Sequence, residues 1–253
     1  MVAGAIYELF SVEGKRALVT GGTTGLGRGM AEALIEAGAR VAIVGRSAER
    51  VSKAAAEMGA TPLQADLSDR TQALALIGRA VEALGGLDVL VNNAGAQSRH
   101  PAEEFPLDEW DYVLSVNLHA VWILAQAAGR VMLAQGKGKI INVASMTSFT
   151  GGFTIPAYAA SKGGVAQLTK ALSNEWAGRG INVNAIAPGY LNTEMNAALV
   201  GNPQREPQIL ARIPAGRWGA PADLKGAVLF LASAASDYIH GTVLPVDGGF
   251  LGR

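Results

Sequence analysis

A chain of 253 residues suits one α/β domain or two small ones, and at that size folding buries roughly three quarters of the surface the unfolded chain exposes. Basic and acidic residues balance at 21 each, so the electrostatic footprint of a nucleic-acid or anionic-lipid binder is absent and neither partner is expected. With no cysteine, disulfides, thiolate chemistry and cysteine metal sites are excluded, and the three histidines (His100, His119, His240) show no ligand spacing, so no metal is expected.

The first residues, Met1 to Glu8, carry no basic segment and reach an acid before an apolar stretch forms, which predicts no signal peptide. The longest apolar runs, such as 226–235, fall short of the ~18 residues that span a bilayer. A soluble, cytoplasmic protein is therefore expected. Apolar residues make up 49% of the chain, which points to strands buried on both faces and to surface buried between subunits.

In chain order, short apolar, β-branched runs predict strands over 16–20, 40–44, 61–65, 87–91, 139–144, 182–187 and 243–246. Helical patterns fall between them over 25–37, 47–58, 69–85, 107–135, 156–179 and 221–235. This alternation predicts βαβ units with right-handed crossovers: a Rossmann-type, doubly wound parallel sheet of about seven strands with helices on both faces, in a single domain over 1–253. Residues 190–216 break the pattern with Asn202, Pro203, Pro207 and Pro214. Lying after the sixth strand, where open α/β sheets bind ligands, they are expected to form a lid over the substrate; a helical excursion that merely packs is the alternative.

Several segments at strand ends carry chemistry. Thr20-Gly21-Gly22-Thr23-Thr24-Gly25-Leu26-Gly27 joins the first strand to the first helix, where glycines permit a tight turn and a helix N-terminus can face a pyrophosphate. The second strand ends in Gly45-Arg46 rather than in an acid. A guanidinium there can fork onto a 2′-phosphate, or else stack over adenine or face solvent. Tyr158 and Lys162 lie four residues apart, about one helical turn, so both leave the same helix face. An ammonium fixed beside a phenol favours the phenolate and eases proton transfer.

Taken with Asn92-Asn93-Ala94-Gly95, Asn117, Ser145 and Pro188-Gly189, this order of motifs resembles the short-chain dehydrogenase/reductase family over essentially the whole chain. The resemblance implies a catalytic set of Asn117, Ser145, Tyr158 and Lys162, with Tyr158 as general acid–base, Ser145 donating to the substrate oxygen, Lys162 also binding the nicotinamide ribose, and Asn117 holding a water that links Lys162 to solvent. It assigns Gly21, Thr23, Thr24, Gly25, Leu26 and Gly27 to the pyrophosphate and Asp66 and Leu67 to adenine. Asn93, Ala94 and Gly95 run alongside the cofactor, and Pro188, Gly189, Leu191 and Thr193 hold the nicotinamide carboxamide. Gly45-Arg46 favours NADP(H) over NAD(H), with use of both allowed.

Stretches such as 139–146, 148–152, 182–190 and 212–219 further resemble a subgroup that interconverts a hydroxyl and a ketone on deoxy sugar acids of the 2-dehydro-3-deoxy-D-gluconate type. A carboxylate-bearing substrate calls for a cation, and Arg99 is placed for it, although Ser98 stands where that subgroup carries a second arginine. Gln97, His100, Met146 and Tyr190, with Ser145, are expected to line the substrate pocket. Gluconate 5-dehydrogenase, another sugar-alcohol dehydrogenase, a 3-oxoacyl carrier-protein reductase and a non-catalytic nucleotide sensor remain alternatives. The family also implies a homotetramer.

Overall fold

The computed structural model describes residues 2–253. A short helix, α1 (Val2–Leu9), precedes β1 (Arg16–Thr20), α2 (Gly25–Glu36), β2 (Arg40–Gly45), α3 (Ala48–Met58), β3 (Thr61–Gln64), α4 (Arg70–Leu84) and β4 (Val89–Asn92). The chain continues through α5 (Leu107–Leu114), α6 (Ala120–Gln135), β5 (Gly138–Val143), α7 (Pro156–Trp176), β6 (Ile181–Pro188), α8 (Arg205–Leu210), α9 (Lys225–Ala232) and β7 (Val243–Val246). The strands form one parallel sheet in the order β3-β2-β1-β4-β5-β6-β7. That order reverses direction between β1 and β4, and the carboxyl ends of those strands open the crevice in which doubly wound sheets hold ligands.

Every residue of β4, β5 and β6 is buried, as a sheet covered by helices on both faces requires. Successive side chains point to opposite faces: Val19 packs with Met30, Leu34 and Leu231 under α2 and α9, and Leu18 packs with Leu76, Leu124 and Trp176 under α4, α6 and α7. Asn92 and Asn142 stand opposite each other in register. Asn92 Nδ2 donates to Asn142 Oδ1 at 2.9 Å, and Asn142 Nδ2 to Thr169 Oγ1 at 2.9 Å, so a buried polar chain ties β4 and β5 to α7.

Helix ends follow local chemistry. Asp69 Oδ1 accepts from the Thr71 and Gln72 N–H groups at 2.8 and 3.3 Å, and α4 stops at Gly85 with φ +79°. The expected helix over 69–85 thus included both of its caps. The expected helix over 107–135 is one continuous helical stretch, α5 and α6, with a π-helical turn at Ser115–His119 inside it. By length and composition, Leu107–Gln135 is apolar enough to cross a membrane, contrary to the expectation that no stretch is. Here it is a core helix, burying Val121, Leu124, Ala128 and Met132 in the fold. Helix α1 was not anticipated.

Candidate active site

The turn after β1 is locked from the side of β4. Thr20 Oγ1 accepts from the Asn93 and Ala94 N–H groups, both at 3.0 Å, and Asn93 Nδ2 donates to Thr20 O at 2.8 Å and Gly21 O at 3.2 Å. This packing leaves no room for side chains: a Cβ at Gly27 would run into Gly21 O and Asn93 Nδ2, and Gly21 itself has φ +63°. Thr24 caps α2 without a side-chain hydrogen bond, and the first turn holds no acid. The free N–H groups and the positive end of the helix dipole face the cleft, a cradle that fits a pyrophosphate.

The cleft, of about 910 Å³, runs along the carboxyl ends of the central strands. Of the expected cofactor residues, Gly21, Thr23, Thr24, Gly25, Leu26 and Gly27 line it, as do Arg46, Asp66, Leu67, Asn93, Ala94 and Gly95. At the other end Pro188, Gly189, Leu191 and Thr193 line it, joined by Glu194, Met195 and Asn196 from the 190–216 segment. Ser47, Arg50, Tyr112 and Val116 also face it, and sequence reasoning missed them. Ser47 caps α3, its side chain accepting from Arg50 N at 3.3 Å, and Arg50 lies one turn beyond Arg46, a spacing that could have flagged it. Tyr112 carries no signal in the sequence; its hydroxyl accepts from Arg46 Nη1 at 3.0 Å. Asp66 Oδ1 is engaged by the Ser68 N–H and hydroxyl at 2.9 and 2.7 Å.

Ser145, Tyr158 and Lys162 converge at the inner wall. Ser145 Oγ accepts from Thr147 N at 3.1 Å, which leaves its O–H as a donor on the cleft side, where Tyr158 lies. Ser148 Oγ accepts from Ser145 N at 3.3 Å and donates to Lys162 O at 2.7 Å, tying the serine turn to α7. The Lys162 ammonium donates to Val143 O at 2.6 Å and sits 5.7 Å from the centroid of the Tyr158 ring. Burial holds Lys162 down at about 8. Burial also pushes the Tyr158 phenol up, while a hydrogen bond with Ser145 and the charge of Arg99 pull it back. Ser145 and Arg99 thus act on the phenol in the same sense as the ammonium of Lys162 beside its ring.

Other expected residues lie elsewhere. Asn117 is fully buried beneath the cleft: its Oδ1 accepts from Ala96 N at 2.7 Å, and its Nδ2 donates to Ala96 O at 2.9 Å and Ser161 Oγ at 3.1 Å. Both amide hydrogens are spent on the protein. Gln97 lines the cleft, and exposed Arg99 donates to Gln97 Oε1 at 3.1 Å. His100 is turned to Glu109 on α5, Nε2 to Oε2 2.9 Å. Met146 and Tyr190 do not reach the cleft wall. Met146 is buried in an apolar cluster with Leu199, Ile209, Ile213 and Phe250, and Tyr190 packs against that cluster, its ring edge-on to Trp218 and Phe250.

Known proteins agree with this arrangement. The family model described as Enoyl-(Acyl carrier protein) reductase matches residues 21–251. The chain is 49% identical, over 98% of its length and 100% of the relative's, to 2-dehydro-3-deoxy-D-gluconate 5-dehydrogenase from Pseudoalteromonas atlantica, and 48% identical with the same coverage to the enzyme of that name from Escherichia coli. Among solved structures, a gluconate 5-dehydrogenase from Burkholderia cenocepacia in complex with NADP and tartrate superposes with a TM-score of 0.94 at 42% identity, covering 98% of this chain and 99% of that one. A parallel sheet with a glycine turn at its switch point, a serine, tyrosine and lysine on one wall of the cleft, and relatives that match from end to end place the chain in the short-chain dehydrogenase/reductase family.

Proposed function

We propose that the protein is an NAD(P)-dependent dehydrogenase that interconverts a secondary alcohol and a ketone on a deoxy sugar acid of the 2-dehydro-3-deoxy-D-gluconate type. The observation that carries this reading is the convergence of Ser145, Tyr158 and Lys162 at one cleft wall, in a chain that matches deoxygluconate dehydrogenases from end to end. A nicotinamide nucleotide, when bound, supplies or accepts the hydride. The glycine turn and the α2 N-terminus hold its pyrophosphate, Asp66 and Leu67 its adenine, and the Pro188–Thr193 backbone its carboxamide.

Around that cofactor the chain moves one proton. Tyr158 Oη gives a proton to the carbonyl oxygen in reduction and takes it from the hydroxyl in oxidation. Ser145 donates its O–H to the same oxygen as charge develops there. Lys162 holds a positive charge below the phenol and reaches the ribose, and Asn117 fixes the Ala96 backbone at the mouth. Arg99 receives the substrate carboxylate, beside Gln97. Arg46, Ser47 and Arg50 gather at the α3 N-terminus, a donor set that suits a 2′-phosphate and favours NADP(H) over NAD(H).

Several further features follow from this reading. Residues 190–216 cover the substrate, with Thr193 to Asn196 already forming cleft wall. The enzyme is a cytoplasmic homotetramer, as the exposed apolar Leu107, Trp122 and Tyr238 and the half-exposed edge strand β7 suggest. A carrier-protein reductase is the weaker reading, since an acidic carrier needs a basic docking patch and Arg99 alone does not make one. Turnover of 2-dehydro-3-deoxy-D-gluconate with NAD⁺ and NADP⁺ in parallel tests the whole proposal. Activity with a preference for NADP⁺ is expected, and binding of nucleotide without turnover would remove the sugar-acid assignment.

A further inference from the structure

Arg99 sits in a loop whose other members are tied down. At its start, Ala96 is clamped at both N–H and C=O by Asn117. At its end, the His100 N–H donates to Thr154 O at 3.0 Å, and the His100 ring packs edge-on against Phe105, centroids 5.3 Å apart. Thr154 has φ +61°, the one non-glycine among the described residues with positive φ, a strained conformation that persists only where its surroundings enforce it.

Glu109, one turn before Tyr112 on α5, draws the loop together from below. His100 Nε2 lies 2.9 Å from Glu109 Oε2, and the Ser98 hydroxyl acts on the same carboxylate. These two contacts, with Ser98 first, hold Glu109 below the usual carboxylate range, so it stays ionised. Ser98 and His100 flank Arg99 in the chain. The nearby acid is thereby engaged by Arg99's neighbours, while Arg99 itself donates to the neutral Gln97 side chain, which lines the cleft.

We propose that Glu109 is a positioning residue for substrate charge: by holding Ser98 and His100 it fixes the 96–101 loop so that the Arg99 guanidinium stands ready beside Gln97 at the cleft to receive the substrate carboxylate. This rests on the sugar-acid reading above and is separable from it. An arginine on a free loop has to be ordered each time substrate binds, and a brace removes that entropic cost without touching the reacting atoms.

The test compares 2-dehydro-3-deoxy-D-gluconate with its methyl ester, which removes the charge and keeps the reacting carbon. Glu109→Ala is expected to raise KM for the acid about tenfold, leave kcat within about twofold and leave the ester unchanged. Glu109→Gln, which still accepts from Ser98, should recover most of the loss. In an Arg99→Ala background the Glu109 substitution should add nothing, since one acts through the other. Equal losses for acid and ester, or losses that add in the double variant, overturn the proposal even if Arg99→Ala alone abolishes the preference for the acid. An Arg99→Ala enzyme that still prefers the acid removes the carboxylate reading itself, and the brace proposal with it. Thermal melting of each variant separates these effects from loss of fold.

Discussion

Arg46 Nη1 donates to the Tyr112 hydroxyl across 3.0 Å, so the guanidinium at the end of β2 is held by α5 at the rim of the cleft. Arg46→Ala should weaken NADP⁺ binding by about ten- to a hundredfold, the worth of a charge-assisted phosphate contact, and leave NAD⁺ nearly unaffected. Tyr112→Phe keeps the ring and frees the guanidinium, so it should shift the ratio between the cofactors less than Arg46→Ala does. Fluorescence titration with both nucleotides reads the two effects; equal losses for NAD⁺ and NADP⁺ would show that Arg46 does not recognise the 2′-phosphate.

Tyr158→Phe removes the proton carrier and nothing that holds the nucleotide. Turnover should fall by about 10²–10⁴, the usual worth of a positioned acid–base, with nucleotide affinity kept within a few-fold. Steady-state rates beside nucleotide titrations check this, and an enzyme that kept most of its turnover would refute the role.

Lys162 is held down at about 8 by burial, against an ordinary value of 10.5. Between those pH values the unfolded chain binds a proton that the folded protein has released, so this residue's contribution to stability rises with pH across that window. Below pH 8 both states are charged and the full penalty of the buried ammonium is present. Lys162→Met should therefore be more stable than the parent at pH 7, and the gap should narrow by pH 9.5. Urea unfolding at the two pH values decides it; a gap that widens with pH contradicts the assignment.

Gly27→Ala places a methyl group against Gly21 O and the Asn93 amide. The turn must open to admit it, at about 1–3 kcal/mol, the usual cost of overpacking, and the cradle for the pyrophosphate distorts with it. A lower denaturation midpoint together with weaker binding of both nucleotides is expected. Normal nucleotide affinity would mean that the turn tolerates a side chain.

Asn117→Ala strands the Ala96 N–H and C=O, each an interaction worth about 1–3 kcal/mol when left buried and unpaired. The expected result is a destabilised protein with a raised KM for the sugar acid, since the 96–101 loop loses its first anchor. Urea unfolding and steady-state kinetics check it together.

The sheet, its strand ends and most of the cleft's lining were legible in the sequence, because short apolar, β-branched runs, glycine turns and the one-turn spacing of Tyr158 and Lys162 are local signals. What escaped was set by tertiary packing. The π-helical turn at Ser115–His119 lies inside an unbroken apolar pattern, and Tyr112 reaches Arg46 across 66 positions of chain. Met146 and Tyr190 read as pocket residues from their neighbours in sequence, but the apolar floor beneath 190–216 claims both. The direction of the shift at Tyr158 follows from how deeply the phenol is enclosed, which no spacing encodes.

Met146 follows Ser145 directly and shares its apolar seat with Leu199, Ile209 and Phe250. The serine and the 190–216 segment, proposed above to cover the substrate, therefore rest on one common footing. A substrate too bulky for the cover would displace that footing and tilt the serine with it, so discrimination by size should register in kcat more than in KM. The enzyme would let an ill-fitting sugar acid bind and then fail to turn it over.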